Sequence, residues 1–211
     1  ETYDASKKIC DLIFNNDTKN IEIKSYKKSK ENVLIFTGNL SQNGITTSLN
    51  SLLNNISLDD KNYYLAYVPS HIKGNEEFIK NLNKKVKYIA IKSNFVGTFK
   101  ETLLNVLEKL NIISYKKLDR VYDKFYKREI LRQFGMSTFD TTIQFCGYGG
   151  AIIKLFSKFD SNKVIYAHSD MVEEAKIRHN QSKKLLKYYY DKYDKVVVVN
   201  ETIYDSMSTL V

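Results

Sequence analysis

Residues 32–53 read NVLIFTGNLSQNGITTSLNSLL, and their pattern indicates the fold class. Val33–Phe36 is an unbroken apolar run, which is typical of a strand buried on both faces of a parallel sheet. A loop from Gly38 to Gly44 follows it. Residues 45–56 then place apolar side chains at i, i+4, i+7, i+8 and i+11, the spacing of one helix face. The stretch therefore predicts a strand, a loop and an amphipathic helix, which together form the first unit of an α/β fold.

The same unit recurs along the chain. Strands alternating with helices imply right-handed βαβ crossovers and a doubly wound, mostly parallel, Rossmann-like sheet. We expect this domain to span residues 31–211, after a polar lead-in segment over residues 1–30. Further strands are predicted at Tyr63–Val68, Val86–Ile91, Phe139–Phe145, Val164–His168 and Val196–Val199.

Composition limits the class of protein. With 211 residues, of which 43% are hydrophobic and 27% charged, the chain is long enough for one well-cored globular domain. The longest apolar runs are only strand-length and the N-terminus has no apolar signal core, which favours a cytoplasmic location. The two cysteines lack CxxC spacing and the three histidines share no ligand spacing. The sequence therefore predicts neither a metal site nor a disulfide framework.

The net charge of +9 leaves several anionic partners open. Nucleic acid, anionic lipid and phosphorylated small molecules all attract a basic surface. No RRM, KH or helix-turn-helix signature is present, so nucleic acid is disfavoured. Two basic, tyrosine-containing stretches, Lys183–Tyr190 and Lys116–Arg132, are candidates for lying on anionic headgroups, with a solvated basic helix as the alternative.

Ligands of an open parallel sheet collect at the carboxyl ends of its strands. The loop after the first strand includes Gly38, Asn39, Asn43 and Gly44. Its glycines allow a close backbone approach, and the following helix offers free N–H groups to an anion. The loop lacks GxGxxG and GK[ST], which excludes a dinucleotide or ATP fingerprint. A tight turn with a helix cap is the alternative interpretation.

Two further strand ends carry polar residues. Gln144, Gly147 and Tyr148 form a glycine-rich strand-to-helix turn that offers hydrogen bonds to a polar ligand, or serves packing alone. His168 directly follows a predicted buried strand, and Asp170 lies two residues on. The histidine is a candidate for orienting a substrate hydroxyl or accepting a proton, or it is a structural residue.

Four segments together resemble one protein family. They are Asn32–Leu53, Phe139–Tyr148, Val164–Met171 and Tyr193–Asn200, and their order and spacing carry the likeness. They resemble the N-terminal domain of retaining GT-B glycosyltransferases. The likeness is to modules of bacterial teichoic-acid and capsule enzymes, some of which are fused to CDP-glycerol glycerophosphotransferase domains.

The resemblance implies roles for the strand-end residues. Gly38, Asn39, Asn43 and Gly44 would face the diphosphate of the donor, where helix-end N–H groups stabilise negative charge. The family loop often has two adjacent glycines, whereas this chain has Gly38 followed by asparagine. His168 and Asp170 would be the catalytic residues, with His168 hydrogen-bonding a hydroxyl beside the transferred sugar and Asp170 shaping the same turn.

The resemblance also implies partners. Gln144, Gly147 and Tyr148 would line the groove for an anionic polymer or lipid-linked acceptor. The donor would be a nucleotide sugar or CDP-glycerol, bound as a substrate by a second domain that this sequence lacks, with no separate cofactor. We therefore expect a cytoplasmic protein, with the inner membrane face as a further candidate location. The alternatives are a non-catalytic glycan-recognition domain of a teichoic-acid polymerase and a nucleic-acid-binding module.

Overall fold

The structure is a computed structural model that describes residues 30–38, 40–71, 80–92, 94–110, 112–178 and 181–211. The lead-in segment up to residue 29 and Asn39 of the predicted phosphate-facing loop lie outside the described residues. All six predicted strands lie within them and are present, with ends shifted by one or two residues at most positions.

The strands form one sheet in which every neighbouring pair is parallel. Its order is β3-β2-β1-β4-β5-β6, so the chain builds outward from β1 and then returns to build outward from β4. This is the doubly wound order of Rossmann-like folds, and it confirms the predicted α/β class. The strands are β1 (Glu31–Phe36), β2 (Lys61–Tyr67), β3 (Lys87–Ala90), β4 (Thr141–Gln144), β5 (Asn162–Ala167) and β6 (Lys195–Val198).

Helices connect the strands and cover both faces of the sheet. None of those in the described residues is long and apolar enough to cross a membrane. The helices are α1 (Gly44–Asn55), α2 (Phe99–Lys109), α3 (Tyr115–Phe134), α4 (Gly150–Phe156), α5 (Met171–Arg178), α6 (Lys183–Tyr190) and α7 (Tyr204–Ser208), with 3-10 turns at Pro69–His71 and Glu201–Ile203.

The unbroken apolar run of β1 arises because the strand contacts two cores. Val33 and Ile35 face the core under α1, whereas Leu34 and Phe36 face the core on the opposite side of the sheet. A strand at the centre of a doubly wound sheet has no solvent-facing side, so it shows no polar alternation. The second core is filled from α3, α4 and α6 by Leu118, Tyr122, Ile153, Phe156, Leu186 and Tyr189.

Candidate functional site at the carboxyl edge of the sheet

The carboxyl ends of β1, β4 and β5 are neighbours at one edge of the sheet. After β1 the chain turns towards α1 on one face, and after β4 it turns towards α4 on the other. The two connections therefore diverge between β1 and β4. Such a divergence opens the crevice in which doubly wound sheets bind their ligands. The three sequence segments predicted to form a site all follow strands that end at this edge.

The loop after β1 packs against the turn after β4. Gly38 has a φ of +84°, and a Cβ added to it would lie 3.5 Å from Sγ of Cys146. Asn43 caps α1, because its Oδ1 accepts a hydrogen bond from the Thr46 N–H at 3.0 Å. Gly44 begins the helix with open space around it, and the first turn of α1 holds no acidic residue. The positive end of this helix is thus free of an internal counter-charge.

Gln144 orders the turn after β4. Its side chain is fully buried, its Oε1 accepts a hydrogen bond from the Gly147 N–H at 2.6 Å, and its Nε2 donates to the Tyr148 carbonyl at 2.7 Å. Gly147 has a φ of +70°, and a Cβ on it would collide with the carbonyl oxygen of Tyr166. Both ends of the Gln144 amide are therefore used within the turn. This differs from the acceptor contact that the sequence suggested.

His168 lies at the carboxyl end of β5, packed against two rings. Its imidazole centroid is 4.8 Å from that of Phe145 and 6.0 Å from that of Tyr166. Its Nε2 is 2.8 Å from the carbonyl oxygen of Phe145. Because a carbonyl can only accept, Nε2 carries the proton, and in the neutral ring Nδ1 is an unprotonated acceptor. Burial lowers the pKa of His168, an effect that the Phe145 carbonyl partly offsets.

Tyr148 links the turn after β4 to the turn after β5. Its hydroxyl lies 2.5 Å from the Ser169 hydroxyl and 2.7 Å from Oε1 of Glu174, to which it donates. Partial burial raises the pKa of Tyr148, and the Glu174 carboxylate raises it further. The phenol therefore stays protonated, and its proton is directed to Glu174. Tyr148 remains half-buried at the carboxyl edge of the sheet.

Asp170 caps α5. Its Oδ1 accepts hydrogen bonds from the N–H groups of Val172 at 3.0 Å and Glu173 at 2.9 Å, and from the Ser206 hydroxyl at 2.9 Å. It thereby fixes the turn that presents His168 and ties α5 to α7. These contacts make Asp170 a positioning residue of this turn, and the catalytic role suggested by the sequence stays a prediction.

A separate cleft of about 980 Å³ lies on the opposite face of the sheet from His168, and α2, α3, α4, α6 and the segment before α2 contribute to its lining. Glu108 and Lys154 line it, and both side chains are 5% exposed. The Lys154 Nζ donates to the Glu108 carboxylate. It also lies 4.9 Å from the ring centroid of Tyr122 and 5.8 Å from those of Tyr115 and Tyr189. Such distances allow cation–π attraction in addition to the ion pair.

Sequence reasoning missed this buried pair. Glu108 and Lys154 are 46 residues apart, and nothing in either local segment indicates the other. One signal was available, because Glu101 and Glu108 are seven residues apart on α2 and share the side opposite the apolar residues. Two acidic residues aligned in this way point to basic partners on the neighbouring elements.

Comparison with models of known protein families gives no match for this chain. Comparison with curated proteins gives no match either. The GT-B resemblance therefore stays a prediction.

Proposed function

We propose that this chain is the acceptor-side half of a glycosyltransferase, or of a related glycerophosphotransferase, that extends a bacterial cell-wall or capsular polymer. One observation carries the proposal. His168 stands at the carboxyl edge of a doubly wound sheet with a lowered pKa and an unprotonated Nδ1. A neutral imidazole in a ligand-binding crevice can accept a hydrogen bond, or a proton, from a substrate hydroxyl.

The neighbouring groups suit the donor side of the same reaction. As the bond between the donor phosphate and the transferred group breaks, negative charge grows on the leaving phosphate oxygen. Free N–H groups at the start of a helix stabilise such charge. The start of α1, at Gly44, follows the loop after β1 and has no acidic residue in its first turn. In this proposal α1 faces the donor phosphate while His168 holds a substrate hydroxyl.

The nucleotide needs a binding domain of its own. A GT-B enzyme has two Rossmann-like domains, and the described residues form one sheet. We therefore propose that residues outside this chain bind the nucleotide sugar or CDP-glycerol, which is a substrate and not a resident cofactor. This chain would contact the anionic polymer or lipid-linked acceptor at the cytoplasmic face of the membrane, and its net charge of +9 favours that contact.

Ligand binding to the isolated chain tests whether this chain contacts the acceptor while other residues bind the nucleotide. The His168 imidazole would be followed by NMR while short poly(glycerol phosphate), poly(ribitol phosphate), UDP-glucose or CDP-glycerol is added. We expect saturable shifts of His168 with a polymer, and at least tenfold weaker binding by His168→Gln. We expect no comparable shift with the nucleotides.

A single-stranded oligonucleotide of equal charge controls for non-specific attraction to a basic chain. Equal shifts of His168 with the oligonucleotide would contradict an acceptor site and favour a nucleic-acid module. If the chain binds the polymer but a longer protein that contains it shows no transfer, the function would be that of a non-catalytic recognition domain.

A further inference from the structure

Helix α2 turns its apolar side towards solvent. Phe99 is 87% exposed, Leu103 and Val106 are each 47% exposed, and Leu110, directly after the helix, is 62% exposed. At about 100° per residue, these four positions fall within about 60° of arc on one side of the helix. The apolar stripe of a surface helix normally packs on the core. The stripe of α2 instead faces outward.

Two ion pairs attach the other side of α2 to the domain. Glu101 accepts from Arg128 of α3 at 2.7 Å, and Glu108 pairs with the buried Lys154 of α4. These glutamates lie about 160–180° from the apolar stripe on a helical projection. The acidic residues of α2 are therefore neutralised against the protein, and neither contributes negative charge to the outer surface.

Lysines border the stripe on both sides. On the same projection, measured from Phe99, Lys100 lies about 100° to one side and Lys109 about 80° to the other. Both lysines are exposed. Over residues 92–117 every lysine is exposed, while both glutamates face inward. The exposed lysines are Lys92, Lys100, Lys109, Lys116 and Lys117.

The apolar surface continues past both ends of the helix. Val96, before the helix cap, is 61% exposed, and Ile112 is 64% exposed. The Ile112 N–H donates to the Leu107 carbonyl at 2.9 Å, so Ile112 stays against the end of α2. Val96, Phe99, Leu103, Val106, Leu110 and Ile112 together are called the α2 outer face.

We propose that the α2 outer face binds the surface of an anionic membrane. Its apolar side chains would enter the boundary between headgroups and acyl chains, while the flanking lysines extend to lipid phosphates. The lysines around the α2 outer face favour a membrane over a protein as the partner, because lysine is depleted at protein–protein interfaces and favoured beside anionic headgroups. The inference rests on exposure and charge alone and does not depend on the proposed transferase activity.

Fluorescence gives a direct test because the chain contains no tryptophan. Phe99→Trp places a single reporter on the α2 outer face, and Ile177→Trp places a matched one at a 69% exposed position of α5. Both would be titrated with vesicles of phosphatidylglycerol and phosphatidylcholine in equal parts, and with phosphatidylcholine alone. We expect a blue shift for Phe99→Trp with the anionic vesicles only, and no shift for Ile177→Trp.

Vesicle co-sedimentation of tryptophan-free variants supplies the affinity. Phe99→Ser combined with Leu103→Ser should weaken binding at least tenfold, because two large apolar groups no longer leave water. Lys100→Glu combined with Lys109→Glu should weaken it by a similar factor, and added salt should do the same. Met136→Ser, at an 88% exposed site elsewhere, should bind as the parent does.

Either of two results would overturn the inference. One is binding to anionic vesicles that the paired serine substitutions leave unchanged. The other is no binding to anionic vesicles, and a dimer in solution that dissociates on Phe99→Ser would then make the face a contact between protein chains.

Discussion

Replacing Lys154 with methionine tests how α2 is held on the domain. Lys154 and Glu108 are each 5% exposed, and the Lys154 ammonium supplies the partner of Glu108 Oε1. The other oxygen, Glu108 Oε2, is buried with no hydrogen-bond partner. Methionine keeps most of the aliphatic length of lysine, so the packing around Tyr122 changes little. The substitution therefore removes the charge of Lys154 and leaves the buried carboxylate without a counter-ion.

The expected loss follows from that unpaired charge. Removing one partner of a buried ion pair costs about 3–5 kcal/mol of the free energy of unfolding. For a domain of this size, about 1 kcal/mol corresponds to a change of about 2–4 °C in Tm, so Tm should fall by about 6–20 °C. Adding Glu108→Gln to Lys154→Met removes the unpaired charge. We expect this double variant to recover at least about 1 kcal/mol of the loss through coupling between the two sites.

Urea unfolding followed by circular dichroism measures these changes. Lys154→Met should lower the midpoint without changing the slope, as a loss of stability with an unchanged unfolded state does. Lys176→Met is the matched control, since Lys176 and Glu173 form an exposed pair with side chains 61% and 52% accessible. That control should change the free energy of unfolding by less than about 1 kcal/mol. A loss below about 1 kcal/mol for Lys154→Met would show that the buried pair does not hold α2.

Further predictions concern the turns at the carboxyl edge. Gly147→Ala should destabilise the protein by about 1–3 kcal/mol or more in urea, because of its positive φ and the collision with the Tyr166 carbonyl. Gly44→Ala, which has open space in α1, should be neutral or stabilising by up to about 1 kcal/mol. The pKa of His168 measured by NMR should lie below 6.5. Because the unfolded chain then binds the proton at a higher pH than the folded chain does, protonation of His168 favours unfolding. The contribution of His168 to the free energy of unfolding is therefore complete above about pH 6.5 and decreases as the pH falls below it. His168→Gln should remove that part of the pH dependence. A pKa above 6.5, or equal stability of both glycine variants, would contradict these assignments.

Sequence patterns determined the class of the fold but not its arrangement. Val33–Phe36 predicted a central parallel strand because a strand between two cores has no polar side. The pairing of β1 with β4 could not be predicted from the sequence, because the two strands are far apart along the chain. Asn32 and Asp140, for example, are 108 residues apart and are linked by a 2.9 Å hydrogen bond. Long-range pairing depends on how the crossovers pack, and local periodicity does not encode it.

The spacing of apolar residues over 99–110 indicates which of them share a face of α2 but not the direction of that face. A helical pattern shows which residues share a face, whereas the orientation depends on the partners that the other face meets. Glu101 and Glu108 find Arg128 and Lys154 on distant elements, and these ion pairs attach the polar side of α2 to the domain.

The proximity of the strand-end segments was predictable, whereas the contacts of each residue were less so. Strand ends of a parallel sheet meet at one edge, so Gly38, Gly147 and His168 were expected near one another. Gln144 and Asp170 instead satisfy backbone N–H groups of the turns that follow them. The same polar residue types at strand ends either bind a ligand or cap the backbone N–H groups of the following turn or helix. Sequence alone therefore does not separate the two roles.

Transfer by a complete transferase containing this chain is the measurement that decides the proposed function. UDP-glucose, UDP-N-acetylglucosamine and CDP-glycerol would each be supplied with a teichoic-acid-like acceptor, and product formation would be followed for the parent and for His168→Ala. Removing a general acid–base group costs about 10²–10⁴-fold in rate, so we expect turnover with one donor and a loss in kcat of that order for the variant. Met136→Ser, at an 88% exposed position away from the carboxyl edge of the sheet, serves as the control and should retain turnover. Turnover that His168→Ala leaves unchanged, or no turnover with any donor, would contradict the account.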